Sequence, residues 1–412
     1  MRRNTLVCAC AVGFLLVALE IPTQAATSEP IRVGFMATLS GLFAPAGRDM
    51  QEGFRLYFEQ TGFQAAGRKI ELIEEDDEGN NAVAVAKYRK LVSRDRVHVL
   101  GGILLTNIGA LLAPMIERDQ VPSLYLTTPD DLTKRIQSKW SMRTNFAASQ
   151  LMHPLGEYAY KTLGYRKVAT LGLDIGFGYE QIGGFHRVFE GLGGKVVQKL
   201  WTPLNTQDFA PYITQLRRDV DAVVVVYTSG QAIRFVKQYA EYGMKAHLPL
   251  VTSGVLTDEH ALRHMGDEAI GIVSALNWSP VLQNPENAAF VKMATAKLGK
   301  TPGYFHAVMY SAARWIVEAI KLLNGNVENR QELLAAIRTV AERPGDPRGP
   351  ITFDEYNNPS QNVYILKVEK VGGKLQNTVI HSYPMVSQFW TYRPDTFLKD
   401  PPYSRDFPPV KP

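Results

Sequence analysis

The sequence predicts an α/β fold built on mostly parallel sheets flanked by helices. Three observations carry that expectation. Strand-like and helix-like segments alternate through most of the 412 residues, which is the pattern of βαβ units. The stretch Ile31–Gly47, IRVGFMATLSGLFAPAG, reads as one buried strand, Ile31 to Thr38, followed by a loop of small residues. A parallel sheet starts this way, and its ligands bind at such strand ends. The length beyond the N-terminal segment suffices for two ordinary domains.

Residues 1–25 have the three parts of a secretory signal peptide. Arg2 and Arg3 are the charged end, Leu6–Leu19 is an apolar run too short to span a bilayer, and Thr23-Gln24-Ala25 is the cleavage region. Expected strands then follow at Ile31–Ala37, Lys69–Glu75, Val97–Gly101, Pro122–Leu126, Lys167–Gly172, Lys195–Trp201, Ala222–Tyr227, Leu248–Thr252 and Ile270–Ser274. Expected helices lie between them at Asp49–Gln60, Ala82–Ser93, Asn107–Arg118, Gln150–Leu163, Glu180–Glu190, Phe209–Arg217 and Gln231–Tyr242. Tyr310, Ala313, Val317 and Ile320 recur at helical spacing, which makes Ala307–Leu323 an amphipathic helix with that face buried. A further helix, Gln331–Val340, is ended by Arg343-Pro344-Gly345. Near the C-terminus the alternation stops. Ile351–Phe353, Val363–Lys370 and Lys374–Val379 read as strands without intervening helices, with a hairpin turn at Val371-Gly372-Gly373. Residues 391–412 are rich in proline, aromatics and charge and read as a tail, either extended over the surface or partly disordered.

Composition excludes several classes. The formal charge is +5, and removing Arg2, Arg3 and Glu20 with the signal lowers it to +4, a mild excess. No Lys/Arg block with interleaved aromatics supports a nucleic-acid partner. Cys8 and Cys10 are the only cysteines and both lie inside the signal, so no disulfide, thiolate metal site or cysteine nucleophile is expected beyond it. Gly299-Lys300-Thr301 resembles the end of a phosphate loop, but Ala294 stands where the first glycine should be. Gly176, Gly178 and Gly183 do not fit dinucleotide spacing, and there is no Gly-x-Ser-x-Gly elbow. His260 and His264 are four apart, as metal ligands can be, but Asp258, Glu259 and Arg263 make a solvated face the plainer reading. The run Glu74–Glu78 reads as a strand end leading into a helix N-terminus rather than a cation loop. No cofactor and no metal is expected.

The loops after the strands carry Phe43, Asn107, Thr127, Thr128, Phe177, Tyr179, Tyr227, Thr228 and Ser229. Apolar rings with a few hydroxyls and amides are what a small-molecule pocket needs, and these fall in corresponding loops of two α/β units.

Leu39–Gly47 resembles the opening loop of the leucine/branched-chain amino-acid-binding proteins. Asp76–Ala86, the acidic strand end running into an Ala-rich helix, is similar to theirs, as are Val99–Gly102, Ala113-Pro114, Val121-Pro122, Met142–Thr144, Phe177-Gly178 and Tyr242–Lys245 in order and spacing. The likeness covers about Ile31 to Leu366. It implies a type I periplasmic binding protein, the extracytoplasmic receptor of an ABC importer. Such a fold has two α/β lobes joined by three crossovers, here 31–147 plus 276–350 and 148–275 plus 351–390. The resemblance places the ligand carboxylate against Asn107, Thr127 and Thr128, with Phe177 and residues Tyr227–Ser229 contributed by the second lobe. It also implies an inner-membrane permease as partner, and a monomer in the periplasm is expected.

One departure bears on the ligand. The amino-acid binders usually place an acidic residue after the strand matched by Leu248–Thr252, to pair with the ligand ammonium. Here Ser253-Gly254-Val255 follows that strand. An ammonium buried without a carboxylate costs several kcal/mol. The expected ligand is therefore an aromatic or apolar carboxylate of benzoate or phenylpropenoid type, met by Phe43, Phe177, Tyr179, Tyr227, Ser229 and Ser253, with Phe305 and Trp278 as further rings. The alternatives are a hydrophobic or branched-chain amino acid, with Asp174 meeting the ammonium, and an exported hydrolase on the same scaffold.

Overall fold

The computed structural model describes residues 29–410. The segment read as an export signal lies outside the described residues.

Two sheets organise the chain. The first contains β1 (Ile31–Ala37), β2 (Gln64–Ala65), β3 (Arg68–Asp76), β4 (Val99–Gly102), β5 (Ser123–Tyr125) and β6 (Ser141–Arg143), in the order β2-β3-β1-β4-β5-β6. All neighbours are parallel except β2 and β3. The second contains β7 (Lys167–Leu173), β8 (Lys195–Thr202), β9 (Ala222–Val226), β10 (Leu250–Ser253), β11 (Val273–Leu276), β12 (Ile351–Phe353) and β13 (Pro359–Val371), ordered β12-β13-β11-β10-β9-β7-β8, with β14 (Lys374–Val386) on β13. Strands β7 to β11 run parallel, and β13 is antiparallel to its three neighbours.

Helices connect the strands: α1 (Ala44–Gln60), α2 (Asn81–Arg89) and α3 (Thr106–Asp119) in the first unit, then α4 (Met152–Lys161), α5 (Gly176–Gly191), α6 (Ala210–Gln215), α7 (Ser229–Glu241) and α8 (Glu259–Leu262) in the second. Between β11 and β12 the chain forms α9 (Pro285–Leu298), α10 (Tyr304–Leu322) and α11 (Arg330–Ala341). Helix α10 packs along α1, so this segment rejoins the first sheet before β12 to β14 complete the second. The short α12 (Pro394–Phe397) lies in the tail. No described helix is long and apolar enough to cross a membrane.

The passages between the sheets are held by buried arginines. Arg143 Nε donates to Asn358 Oδ1 at 2.8 Å, and its other nitrogens donate to the Thr127 and Pro129 carbonyls. Arg348 pairs with Asp346 at 2.9 Å and donates to the Thr144 carbonyl. Arg348 is ion-paired, Arg143 is satisfied by neutral acceptors alone, and each ties a crossover to a strand end.

Several elements depart from the sequence reading. Helix α1 begins at Ala44, with Pro45 preset for the first helical turn, so only residues 38–43 form the opening loop. Gly47 explains the tight join. A Cβ there would lie 1.8 Å from the Thr38 carbonyl oxygen, so only glycine lets α1 start against the end of β1. Strand β6 and helix α9 were not expected; α9 buries only a narrow stripe, Asn287, Phe290 and Ala294. The solvated face expected around His260 is corrected. Asp258 is fully buried, its Oδ1 accepts the Tyr304 N–H at the start of α10 (2.7 Å), and its Oδ2 bonds the buried His260 Nδ1 at 2.8 Å. Arg263 and His264 alone of that group face solvent.

Helices α1 and α10 are also joined by charge. Lys300 Nζ lies 2.9 Å from both Asp49 Oδ1 and Glu52 Oε2, and His306 Nε2 is 3.1 Å from Glu52 Oε2. Asp49, Glu52 and His306 are close enough together to hold a metal ion. However, His306 Nδ1 accepts the Gly303 N–H at 3.1 Å, so Nε2 carries the proton and offers no lone pair to a metal. The group is an ion-pair network with Lys300 as its cation.

Two outcomes follow from this packing. Gly47→Ala is expected to destabilise the protein by about 1–3 kcal/mol, the cost of forcing a methyl into packed backbone, read as a lower Tm. Glu52 is held down to about 2 from its ordinary 4.5, chiefly by the His306 hydrogen bond, which outweighs burial. A folded pKa below the unfolded one adds stability that is present above 4.5 and lost as pH falls towards 2. Urea unfolding of wild type and Glu52→Gln is therefore expected to differ at pH 7 and to converge near the low end of that window.

Candidate ligand-binding cleft

Parallel strands place the start of every following helix on one edge of the sheet. In the first sheet β1 lies between β3 and β4; in the second β7 lies between β8 and β9. These are the points where the strand order reverses, and the two edges face one another. Between them lies a cavity of about 680 Å³, within the range of roughly 300–1,000 Å³ usual for small-molecule pockets.

Its walls come from the loops after β1, β3, β4 and β5 on one side and after β7, β8, β9 and β10 on the other, with Tyr304 and Phe305 at the start of α10. The two sides touch at the rim, where Glu180 Oε1 accepts the Asp130 N–H at 3.1 Å. Phe43, Phe146, Phe177, Tyr304 and Phe305 supply rings, and Leu104, Leu126, Leu173 and Val255 supply aliphatic surface. Thr38, Ser40, Thr128, Thr228 and Ser229 supply hydroxyls.

The electrostatics are unusual in what they lack. Among the described residues that line the cavity there is no lysine, arginine or histidine, and Glu78 is the only carboxylate. Positive potential comes from backbone. Helices α3, α5 and α7 all start at the cavity, after the extended residues Leu105, Ile175 and Thr228, and none has a side-chain cap. The first three N–H groups of each helix have no acceptor among the described residues, while the fourth, of Gly109, Tyr179 and Ala232, donates to the carbonyl of the residue before the helix. Three helix starts with open donors, converging on an apolar space, bind an anion without a cationic side chain.

The residues singled out from sequence divide by where their strands point them. Phe43, Asn107, Thr128, Phe177 and Ser229 line the cavity, as does Thr228. Thr127, Tyr179, Tyr227, Ser253 and Trp278 do not. Thr127 precedes Thr128 and so faces the opposite side, where a Cβ on Gly109 of α3 would come within 2.4 Å of its Cγ2. Tyr179 leans on Trp201 and donates to Asp174 Oδ1 at 2.6 Å. Tyr227 is buried among Phe209 and Phe235, where desolvation raises its hydroxyl pKa. Ser253 is wholly buried at the end of β10, and Trp278 donates to Asn287 at 2.7 Å. Asp174 is committed to Tyr179 and Arg405, the latter at 2.8 Å, and does not line the cavity. Glu78, Leu105, Thr106, Ile175, Gly176 and Tyr304 were missed. The helix starts had a readable signal, since each follows a buried strand; Glu78 was read only as part of an acidic run.

Comparison with known proteins agrees with this geometry. The model of the periplasmic binding protein family matches residues 30–374. The chain is 26% identical over 379 residues to a Leu/Ile/Val-binding protein homolog of Brucella melitensis, covering 89% of this chain and 95% of that one. Among solved structures, an ABC transporter substrate-binding protein from Sphaerobacter thermophilus superposes with a TM-score of 0.83 at 35% identity, over 87% of this chain and 99% of the other. A solute-binding protein of an ABC transporter from Rhodopseudomonas palustris, in complex with 3,4-dihydroxybenzoic acid, gives a TM-score of 0.81 at 31% identity, over 87% and 98%. The two-sheet α/β architecture, the cleft between the sheets and a family match over most of the chain lead to one assignment: this chain belongs to the periplasmic binding protein family, as a substrate-binding protein of the ABC-transporter type.

Proposed function

We propose that the protein captures an aromatic monocarboxylate, of benzoate or phenylpropenoid type, and delivers it to an inner-membrane permease. The observation that carries this reading is the convergence of three uncapped helix starts on an otherwise apolar, cation-free cavity. A carboxylate docks on those N–H groups and on Thr128, and the ring packs among Phe43, Phe177 and Phe305. The lobes, 31–147 plus 276–350 and 148–275 plus 351–390, close about the crossovers and exclude water. Each charge-assisted hydrogen bond contributes about 1.5–3 kcal/mol. Two or three of them with a buried ring suffice for micromolar binding, which needs about −8 kcal/mol. The Rhodopseudomonas palustris relative with its dihydroxybenzoic acid supports this ligand class. Val255, on the wall where the amino-acid binders are expected to place an acid, supports it again.

The same reading makes the protein a receptor rather than an enzyme, exported through residues 1–25 and acting as a periplasmic monomer.

A second reading, a hydrophobic amino acid as ligand, is favoured by one observation. Glu78 stands on the wall as an available carboxylate for an ammonium, and the Brucella relative is named for leucine, isoleucine and valine.

A thermal-shift panel of leucine, phenylalanine, benzoate and coumarate separates the two. Stabilisation by the desamino acids alone is expected; stabilisation by leucine alone rejects the aromatic-acid reading. Thr128→Val is expected to weaken benzoate binding roughly 10- to 100-fold, as loss of one hydrogen bond to a charged group does, in a calorimetric titration. Glu78→Gln leaves benzoate binding unchanged under the first reading and abolishes leucine binding under the second.

A further inference from the structure

The C-terminal tail, beyond the end of the family match at residue 374, touches both sides of the cleft. On the side of the first sheet it meets residues 130–135. Gln388 is fully buried, accepts from Thr133 Oγ1 at 2.8 Å, and donates to Asp354 Oδ2 at 2.8 Å. Arg135 donates to the Asp400 carbonyl at 2.8 Å. Lys134 is buried with no exposed side-chain surface, and its ammonium bonds Asp130 at 2.6 Å and Ser149 at 2.8 Å. Rings of the tail also lie around it: Phe397 at 4.6 Å, Phe389 at 5.9 Å and Tyr403 at 6.0 Å to the ring centroids.

On the side of the second sheet the same segment grips α5, β7 and β8. Arg187 of α5 pairs with Asp400 at 2.7 Å and lies over the rings of Phe397 (4.2 Å) and Tyr392 (4.5 Å). Tyr403 lies on Gly183 of α5, where a Cβ would fall 2.4 Å from the ring. Glycine inside a helix costs about 1 kcal/mol relative to alanine, and the seat for this ring accounts for it here. Further along, Arg405 pairs with Asp174 at the end of β7, one residue from the cavity-lining Ile175, and Lys199 of β8 donates to the Pro408 carbonyl.

We propose that residues 387–410 form a strap that holds the two lobes at a closed angle, and that the cleft opens fully only when the strap leaves its seat on Gly183. Asp400 meets Arg135 of the first lobe and Arg187 of the second at once, so a change of angle between the lobes must break one of these bonds or carry the strap with it. Opening also strips aromatic rings from the buried Lys134 ammonium. The strap thus adds to the stability of the closed form whether or not ligand is present.

The test needs no ligand, so its outcome is independent of which ligand the cleft takes. Spin labels at Ala86→Cys and Lys237→Cys, exposed positions on the two lobes, report the inter-lobe distance in full-length protein carrying Cys8→Ser and Cys10→Ser. Into this background go Gly183→Leu, which fills the seat of Tyr403, and Tyr403→Ala, which removes the ring without adding bulk. Trypsin cleavage after Lys399 and Arg405 reports release of the strap. Both variants are expected to be cut faster by roughly tenfold or more, equivalent to about 1.4 kcal/mol of lost anchoring, and to show longer, broader distances than the parent. A strap that is cut faster while the distances stay those of the parent overturns the proposal. So does a strap that stays resistant to trypsin in both variants.

Discussion

The N–H groups left open at the starts of α3, α5 and α7 are the constraint on which the remaining design depends. Each is a consequence of parallel strands, because a helix entered from a parallel strand always begins at the same edge of its sheet. Two such sheets facing one another bring eight strand-end loops around one space, and the reversals in strand order leave that space open. A side-chain cap at any of the three starts would satisfy the donors internally and remove the positive potential. Leu105, Ile175 and Thr228 occupy the cap positions and make no such bond. In an apolar cavity those donors are costly to leave dry, and an anion placed on them offsets that cost.

The surrounding structure serves that arrangement. Gly47 lets α1 begin against the end of β1, which keeps the opening loop short and places Phe43 on the wall. Asp258 takes up the start of α10, the one helix start at the cavity with a carboxylate already in place. Burial alone would raise that carboxyl, and the His260 hydrogen bond reverses this and holds it ionised. The Tyr304 N–H is thereby withdrawn from the ligand, while the Tyr304 and Phe305 rings remain on the wall. Arg143 and Arg348 fix the crossovers through backbone carbonyls at the strand ends they touch.

Much of this was legible in the sequence, and the failures have physical reasons. The alternation of elements is carried by strands of three to nine residues, such as the fully buried AVVVV at β9, between helices with clear apolar faces. Helix α9 escaped because its buried stripe is only Asn287, Phe290 and Ala294. Loops that face the cleft were found, but single residues within them were not reliably sorted. Thr127 and Thr128 are chemically alike and adjacent, and only the pleat decides which one faces the cavity. Tyr227 ends a strand buried on both faces, so no polar alternation marks its direction. The tail has no period at all. Its aromatics pack on Lys134 and Arg187, long-range partners that no local pattern announces.

The most direct measurement of the central claim is a calorimetric titration with 4-hydroxybenzoate and with the corresponding neutral amide, which keeps the ring and hydroxyl and removes the charge. If helix N-termini hold the carboxylate, the acid binds one to one, and the amide binds roughly 100-fold more weakly, the worth of about 2–3 kcal/mol of charge-assisted bonding. Equal affinity for acid and amide, or binding of leucine in place of both, contradicts it.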